Sequence, residues 1–203
     1  MRIGVLGLQG GVYEHVYALR RSLDEMGLQG EVVVVKKPGQ LDGLDGVVIP
    51  GGESTTIGIV AKRVGLLEPL RDMIREGLPA FGTCAGAVVL AENVRDRVVG
   101  ARRQPLIGAM SIDVVRNYFG RQRESFEVDL EIDGVDGRFR GVFIRSPAIV
   151  EARPPARIIS YLDTSQGRVG VAAVQGGSLA TSFHPELTGD LRLHKLWLRG
   201  LKR

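Results

Sequence analysis

The stretch Phe81-Gly82-Thr83-Cys84-Ala85-Gly86 places the only cysteine of the chain between a predicted strand and a predicted helix. The apolar run that ends at Phe81 predicts a buried strand, and the small apolar residues after Cys84 predict a helix packed on a sheet. The flanking glycines allow both elements to approach around a strained turn. The Gly-x-Cys-x-Gly pattern is the thiol counterpart of the Gly-x-Ser-x-Gly nucleophile elbow. Cys84 is therefore a candidate nucleophile, and the alternative is a buried structural cysteine.

Strands and helices alternate in the first half of the chain. Strand-like apolar runs and helical patterns follow one another at 2–8, 12–26, 31–35, 46–49 and 55–76. This alternation with short connections predicts a doubly wound, mostly parallel sheet. In the second half, Gly, Asp and Pro separate short strand-like runs at 114–116, 125–132, 141–144, 157–161, 169–175 and 179–183, up to a final helix at about 190–201. We expect an α/β fold in which these runs extend the sheet in antiparallel fashion, as a single domain over 1–203.

Composition excludes several classes of protein. The chain has 203 residues, 44% of them hydrophobic and 25% charged, which excludes disordered and fibrous proteins. No apolar run is long enough for a membrane span or a signal peptide. The net charge is +4, but the arginines are scattered rather than clustered, so we expect no nucleic-acid surface. A single cysteine excludes an internal disulfide and indicates a reducing, cytoplasmic environment.

His184 is the histidine best placed to act as a base. The chain has three histidines, and the two that lie within predicted helices, His15 and His194, are expected to be partly exposed and structural. His184 follows a predicted strand, and in an extended segment Glu186 would project to the same side. Nucleophile, base and orienting carboxylate form a Cys/His/acid constellation. For His-Pro-Glu alone, the alternative is a surface turn.

A glycine-rich segment, Pro50-Gly51-Gly52-Glu53-Ser54, follows the predicted strand at 46–49. The carboxyl ends of strands are where open α/β sheets bind ligands. Gly51-Gly52 can present backbone N–H groups to a developing oxyanion, together with the N–H of Ala85. The alternative is an ordinary turn followed by a Ser/Thr helix cap, and both can hold because they use the same unpaired donors.

Three segments in this order resemble the class I, triad-type glutamine amidotransferases: PGGES at 50–54, GTCAG at 82–86 and HPE at 184–186. Four more are similar to those of the glutaminase subunits of pyridoxal phosphate synthases: GVLGLQG at 4–10, RNYFGRQ at 116–122, SFE at 125–127 and GVFIRSP at 141–147. The resemblance spans residue 1 to about residue 188. It implies a flavodoxin-like α/β fold.

The resemblance implies that the chain hydrolyses L-glutamine to glutamate and ammonia without a metal or cofactor. Cys84 would be the nucleophile, His184 the proton donor and base, and Glu186 the carboxylate that orients His184. The oxyanion donors would be the N–H groups of Gly52 and Ala85. The glutamine pocket would be lined by Gly52, Glu53, Ser54, Arg116, Ile144 and Arg145. The sequence leaves open which of the two arginines binds the substrate α-carboxylate.

The resemblance also implies a hetero-oligomeric complex with a (β/α)₈-barrel pyridoxal phosphate synthase subunit. That subunit would receive ammonia through an internal channel and combine it with a pentose phosphate and a triose phosphate. We expect the synthase to complete the oxyanion site, for example through a flip of the Gly51-Gly52 peptide, so the isolated chain should be a poor glutaminase. The segment from Gln9 to His15 is the candidate contact with this partner.

Three other functions stay open at this point. The chain could serve another synthase, such as imidazole glycerol phosphate synthase, although the motifs GGEST at 51–55 and FGRQ at 119–122 favour the vitamin B6 branch. It could be a cysteine peptidase or chaperone-like protein, but the adjacent His-Pro-Glu argues against this. A binding subunit without catalysis would be expected to have lost a member of the triad.

Overall fold

The first half of the chain builds a parallel sheet. A computed structural model describes residues 1–97, 100–101, 104–120 and 125–201. The elements of this half are β1 (Arg2–Leu6), α1 (Val12–Glu25), β2 (Glu31–Val35), β3 (Gly46–Ile49), α2 (Ser54–Arg63), α3 (Leu67–Arg75), β4 (Ala80–Thr83) and α4 (Ala85–Leu90), with a 3₁₀ turn at Pro38–Gln40. Strands β2, β1, β3 and β4 lie side by side in that order, and each pair is parallel.

Alternation along β3 shows how the sheet separates two cores. Val47 and Ile49 pack with the apolar faces of α2, α3 and α4. Val48, between them, points the other way and packs with apolar residues of α1 and of the C-terminal helix α5 (Arg192–Gly200). All three valine and isoleucine side chains are fully buried, as expected when helices cover both faces of a parallel sheet.

The second half adds antiparallel strands to the same sheet. Its strands are β5 (Ala91–Asp96), β6 (Gly100–Ala101), β7 (Met110–Arg116), β8 (Phe126–Leu130), β9 (Phe139–Phe143), β10 (Ala148–Ala152), β11 (Arg157–Thr164), β12 (Gly167–Gln175) and β13 (Ser178–Thr181). Strand β13 lies parallel to β4, and β12 is antiparallel to β13. The order then continues β10, β7, β5, β6, with β11 on β12 and β8–β9 as a separate pair. The predicted mostly parallel sheet with an antiparallel extension is confirmed.

Three strands, β5, the two-residue β6 and β10, lie outside the strand-like runs predicted from the sequence. The predicted helix after the cysteine ends at Leu90, and Ala91 begins β5 with extended backbone (φ −63°, ψ 142°). No glycine or proline separates helix from strand, so the apolar run 85–91 carries no boundary signal. Strand β10 was also not predicted, because 148–152 is a short segment that pairing with β7 and β12 makes extended.

Helix α4 is apolar and buried on every side, whereas the longer helices expose one face. No helix in the described part of the chain has the length and apolar composition needed to cross a membrane.

Candidate active site

Cys84 lies on the tight turn that joins β4 to α4. Its backbone has φ 48° and ψ −105°, a region that non-glycine residues seldom adopt. The turn is held from both sides, because the Cys84 N–H donates to the carbonyl of Thr181 (2.8 Å) and the Cys84 carbonyl accepts from the Val88 N–H (3.2 Å). A strained residue held in this way is typical of a nucleophile elbow. The predicted strand–turn–helix at Cys84 is confirmed.

The two glycines of the elbow are required by close backbone contacts. A Cβ atom on Gly86 would lie 1.9 Å from the carbonyl oxygen of Ile49, the last residue of β3. A Cβ atom on Gly82 would lie 2.7 Å from the carbonyl carbon of Gly86. Any side chain at either position would push α4 away from the sheet. The spacing Gly-x-Cys-x-Gly therefore sets how closely α4 packs on β3 and β4.

His184 faces this elbow from the segment after β13. Its N–H donates to the carbonyl of Val142 (2.9 Å), and its Nδ1 lies 2.7 Å from Oε1 of Glu186. The predicted neighbourhood of His184 and Glu186 is confirmed, but the expected extended backbone is wrong. A 3₁₀ turn at Pro185–Leu187 brings the carboxylate back to the imidazole. With Nδ1 bound to Glu186, Nε2 is the nitrogen left for the cysteine.

The charges of this group favour an imidazolium next to a carboxylate. Burial alone would lower the pKa of His184, but hydrogen bonds to Cys84 and Glu186 and the charges of these groups raise its pKa to about 10. Burial would raise the pKa of Glu186, but the electrostatic effect of His15 and the hydrogen bond to His184 outweigh it and lower the pKa. Near neutral pH His184 is therefore protonated and Glu186 is ionised.

A cavity of about 460 Å³ opens in front of Cys84. All the residues predicted for catalysis, oxyanion binding and glutamine binding lie in its wall: Gly52, Glu53, Ser54, Cys84, Ala85, Arg116, Ile144, Arg145, His184 and Glu186. Its wall also includes residues of the first loop, among them Gln9, Gly10 and Gly11. Part of the predicted motif at 119–122 lies at Arg121 and Gln122, outside the described residues. The fold thus brings three distant segments to one cavity.

Glu53 and Arg116 form one unit in the wall of this cavity. The carboxylate of Glu53 caps α2 by accepting from the N–H groups of Thr55 and Thr56 (3.1 and 2.7 Å). It also accepts from Arg116 (2.9 Å), which donates further to Gln104 (2.7 Å). Burial would raise the pKa of Glu53, but the Thr56 and Thr55 hydrogen bonds lower it. Arg116 is thus already paired with one carboxylate oxygen of Glu53, Oε1.

Arg145 is held differently. Its backbone is in the left-handed region (φ 47°), between Ile144 and a fully buried Ser146 whose hydroxyl accepts from the Ile144 N–H (3.1 Å). The carbonyl of Ile144 lies 3.9 Å from Sγ of Cys84. Within the described part of the chain, the Arg145 side chain makes no hydrogen bond or ion pair. It is the cation of the cavity whose charge is not already neutralised by a carboxylate of those residues.

The glycine-rich segment is tied to the first loop and to β4. The N–H of Gly51 donates to the hydroxyl of Thr83 (3.0 Å), and its carbonyl accepts from the Gly11 N–H (3.1 Å). The N–H of Glu53 donates to Oε1 of Gln9 (2.7 Å). The orientation of the Gly51-Gly52 peptide is therefore set by the loop that precedes α1, because a flip would break the bond to Gly11.

His15 and His194 were expected to be partly exposed, and this prediction is wrong: both are fully buried. They lie behind Glu186, where His15 also contacts Thr83 (3.0 Å). The sequence carries a signal for burial of His15, which lies three residues after Val12 and four before Leu19, on the apolar face of α1. The neighbours of these imidazoles come from elements far apart in the chain and carry no such signal.

Comparison with known proteins places this site in a family. The model of the SNO glutamine amidotransferase family matches residues 5–203. A protein named pyridoxal 5′-phosphate synthase subunit PdxT from Aeropyrum pernix is 73% identical over 203 residues, 100% of each chain. A protein of the same name from Staphylothermus marinus is 56% identical over 199 residues, 98% of this chain and 97% of that protein.

A solved structure agrees with the fold. A crystal structure of a glutamine amidotransferase superposes with a TM-score of 0.84 at 42% identity, covering 99% of each chain. Since the family model covers nearly all of the sequence and the relatives are far above 30% identity, the chain belongs to the SNO glutamine amidotransferase family.

Proposed function

We propose that this chain is the glutaminase subunit of a pyridoxal phosphate synthase, which hydrolyses L-glutamine and passes the ammonia to the synthase subunit in the cytoplasm. The observation that carries the proposal is the placement of Cys84, His184 and Glu186 on one cavity. Relatives named pyridoxal 5′-phosphate synthase subunit PdxT support the pathway. The placement of these three residues and the names of the relatives both indicate transfer of the side-chain nitrogen of glutamine.

In the first half of the reaction, Sγ of Cys84 attacks the carbon of the glutamine carboxamide. The carbonyl oxygen takes the negative charge, and the C–N bond then breaks as the nitrogen takes a proton from the His184 imidazolium. Ammonia leaves and a thioester joins Cys84 to the glutamyl group. The raised pKa of His184 fits this step, because the imidazolium carries the proton that the leaving nitrogen needs.

In the second half, water releases the product. The imidazole of His184, now neutral, removes a proton from water, and the resulting hydroxide attacks the thioester carbon. The C–S bond breaks, glutamate leaves, the His184 imidazolium is restored, and Sγ of Cys84 is free for the next cycle. Glu186 stays ionised throughout and holds Nδ1 of His184, so that Nε2 faces the reacting atoms.

The oxyanion would be stabilised by backbone donors at the elbow. The N–H of Ala85 belongs to the first turn of α4, where N–H groups have no intrahelical partner. The N–H of Gly52 would supply the second bond. Because the carbonyl of Gly51 is bound to Gly11, we propose that the synthase completes the site by rearranging this loop. Gly51 also packs against His184, since a Cβ there would lie 2.4 Å from Cε1 of the ring.

Glutamine would lie with its α-carboxylate on Arg145. This arginine has no counter-ion in the described residues, whereas Arg116 is paired with Glu53. Gly52, Ser54 and Ile144 would line the rest of the pocket. The carboxylate of Glu53 would attract the substrate ammonium while it continues to cap α2.

We expect Arg145→Gln to raise KM for glutamine about 10- to 100-fold, the effect of losing one charge-assisted hydrogen bond. For 4-aminobutanamide, which keeps the amide and amine but lacks the carboxylate, Arg145→Gln should leave kcat/KM unchanged. Arg116→Gln is the matched control and should affect both substrates alike. The reverse pattern, with Arg116→Gln selective for glutamine, would assign the carboxylate to Arg116 instead.

The partner would be a (β/α)₈-barrel synthase subunit that docks over the mouth of the cavity in a hetero-oligomeric complex. The segment predicted to contact the partner supports this position, because Gln9, Gly10, Gly11 and Glu14 form one side of the cavity wall, but His15 at its end is fully buried and does not reach the surface. Tyr13, on the same segment, is 74% exposed, so a large aromatic side chain, a type enriched in protein interfaces, is free to contact a partner there. Ammonia released at Cys84 would pass from this mouth to the synthase.

The test is ammonia release from L-glutamine by the purified chain, alone and with the synthase subunit. We expect strong stimulation by the synthase, loss of all activity in Cys84→Ala, and weaker complex formation or stimulation in Gln9→Ala. If the rate of ammonia release did not change when the synthase is added, another enzyme would be the acceptor of the ammonia. Absence of glutamine turnover with the partner present would refute the proposal and favour a peptidase or binding function.

A further inference from the structure

A chain of buried polar side chains lies behind the triad carboxylate. The side chain of Glu186 is 1% exposed and that of His15 is 0% exposed. Oε1 of Glu186 is used by His184, whereas Oε2 has no hydrogen-bond partner in the described part of the chain. The atom that faces this oxygen is Nε2 of His15, 3.5 Å away. A buried carboxylate oxygen without a donor is costly, so a proton on Nε2 of His15 would stabilise it.

The same imidazole has two further contacts. Its Nε2 lies 3.0 Å from the hydroxyl oxygen of Thr83, which also accepts from the N–H of Gly51 (3.0 Å). Its Nδ1 lies 3.1 Å from Nε2 of His194, on α5. One ring therefore joins the triad carboxylate, the glycine-rich segment and the C-terminal helix.

The contacts distinguish the protonation states of His15. Burial, the largest effect, and the charge of His184 lower its pKa despite the attraction of Glu186, so the ring is neutral. A proton on Nδ1 would leave a lone pair of Nε2 facing Glu186. A proton on Nε2 hydrogen-bonds to Thr83 and directs its partial positive charge toward Oε2 of Glu186, 3.5 Å away, and Nδ1 then accepts from His194. In this form the Nδ1 of His194, which has no partner among the described residues, is a bare acceptor, whereas the other form would leave a buried N–H donor unpaired there.

We infer that His15 is a positioning residue of the triad, which in its neutral Nε2–H form holds Glu186 and Thr83, and that His194 sets this tautomer. The inference deepens the proposed function and rests on it for its kinetic consequence. By attracting Oε2 electrostatically from 3.5 Å, His15 keeps Oε1 of Glu186 directed at His184. By holding Thr83, it fixes the hydroxyl that binds Gly51, so the base and the glycine-rich segment share one support.

The first test reads the tautomer directly in the unsubstituted chain. The chain contains three histidines, so labelling them with ¹⁵N gives three imidazoles, whose ring nitrogens can be assigned by long-range ¹H–¹⁵N correlation. We expect Nε2 of His15 to carry the proton and Nδ1 to be bare, and the same arrangement in His194. A proton on Nδ1 of His15, alone or together with Nε2, would overturn the inference whether or not the chain hydrolyses glutamine.

The second test compares two amides at position 15, assayed in the complex with the synthase. The side-chain nitrogen of glutamine ends where Nε2 of histidine lies, whereas that of asparagine ends where Nδ1 lies. We expect His15→Asn to lower kcat about 10- to 100-fold, the factor that corresponds to losing one interaction with a charged group, with KM changed less than about twofold. His15→Gln should recover most of this loss.

Phe81→Leu is the control for packing. The Phe81 ring contacts both imidazoles (ring centroids 6.0 Å from His15 and 5.5 Å from His194) but offers no proton. We expect it to lower the melting temperature with little change in kcat. Equal losses of kcat in His15→Asn and His15→Gln, or a loss that follows melting temperature across all three variants, would show a purely structural role. A wild-type complex without glutaminase activity would refute the proposed function instead. The tautomer measurement would then still test the inference, because it does not depend on activity.

Discussion

Replacement of Glu186 by glutamine is expected to lower kcat for glutamine hydrolysis about 10³- to 10⁴-fold while the chain stays folded. The amide is nearly isosteric, but it does not carry the charge that favours the His184 imidazolium and it can bind the ring in the wrong tautomer. An orienting aspartate replaced by asparagine in a serine protease triad costs about 10⁴-fold for this reason. The hydrogen bond involved is short, 2.7 Å, and its carboxylate is almost fully buried.

The same substitution is expected to change how stability depends on pH. The pKa of His184 rises from 6.5 to about 10 on folding, so its contribution to stability is full below pH 6.5 and is lost as the pH approaches 10. The pKa of Glu186 falls below 4.5, so its contribution is present above that pH and is lost in acid. The difference in melting temperature between wild type and Glu186→Gln should therefore be largest between about pH 5 and 6.5 and shrink toward pH 10.

Glu31→Gln is the matched control, because it removes an exposed carboxylate whose partner is Arg2, on β1. It should leave both kcat and the pH dependence of stability as in wild type. A Glu186→Gln variant that keeps more than about a tenth of wild-type kcat would exclude Glu186 as the orienting carboxylate. A pH-independent difference in melting temperature would show that its ion pair with His184 contributes no stability.

The parts of the site that can be predicted from sequence are those encoded by neighbouring residues. Gly82 and Gly86 flank the nucleophile, and their spacing between a strand-like run and a helical run predicts the elbow. Glu186 lies two residues from His184, so either an extended segment or a turn brings them together. The sequence does not distinguish the two, and the 3₁₀ turn at Pro185–Leu187 is a finding of the structure.

The rest depends on contacts between distant elements. His15 and His194 are 179 positions apart and meet because α1 and α5 cover the same face of the sheet. The pairing of Glu53 with Arg116 likewise joins α2 to the end of β7, across 63 positions. Neither periodicity nor spacing in the sequence indicates such contacts. The sequence alone therefore does not decide whether Arg116 or Arg145 binds the substrate carboxylate. The residues of the glutamine pocket were predicted from family resemblance rather than from pattern.

The elbow itself can be tested through the backbone. We expect Gly86→Ala to destabilise the chain by about 3 kcal/mol or more, at or beyond the upper end of the usual cost of overpacking. The added Cβ would lie 1.9 Å from the Ile49 carbonyl oxygen and 2.8 Å from its carbon, and these are backbone atoms of β3 that cannot move aside as a side chain can. For a chain of this length such a loss lowers the melting temperature by about 6–12 °C.

Gly200→Ala is the control, because Gly200 is also helical but a Cβ there would meet nothing within 4 Å. Alanine is favoured over glycine in helices by about 0.5–1 kcal/mol, so the melting temperature should stay the same or rise slightly. The measurement is the melting temperature of both variants, with thermal unfolding monitored by circular dichroism. If Gly86→Ala matched Gly200→Ala, α4 would have room to move away from β3, and the elbow would be held by the hydrogen bonds of Cys84 rather than by the contact of Gly86 with Ile49. If Gly86→Ala lost glutaminase activity without losing stability, the contact of Gly86 with Ile49 would serve to align the nucleophile rather than to stabilise the fold.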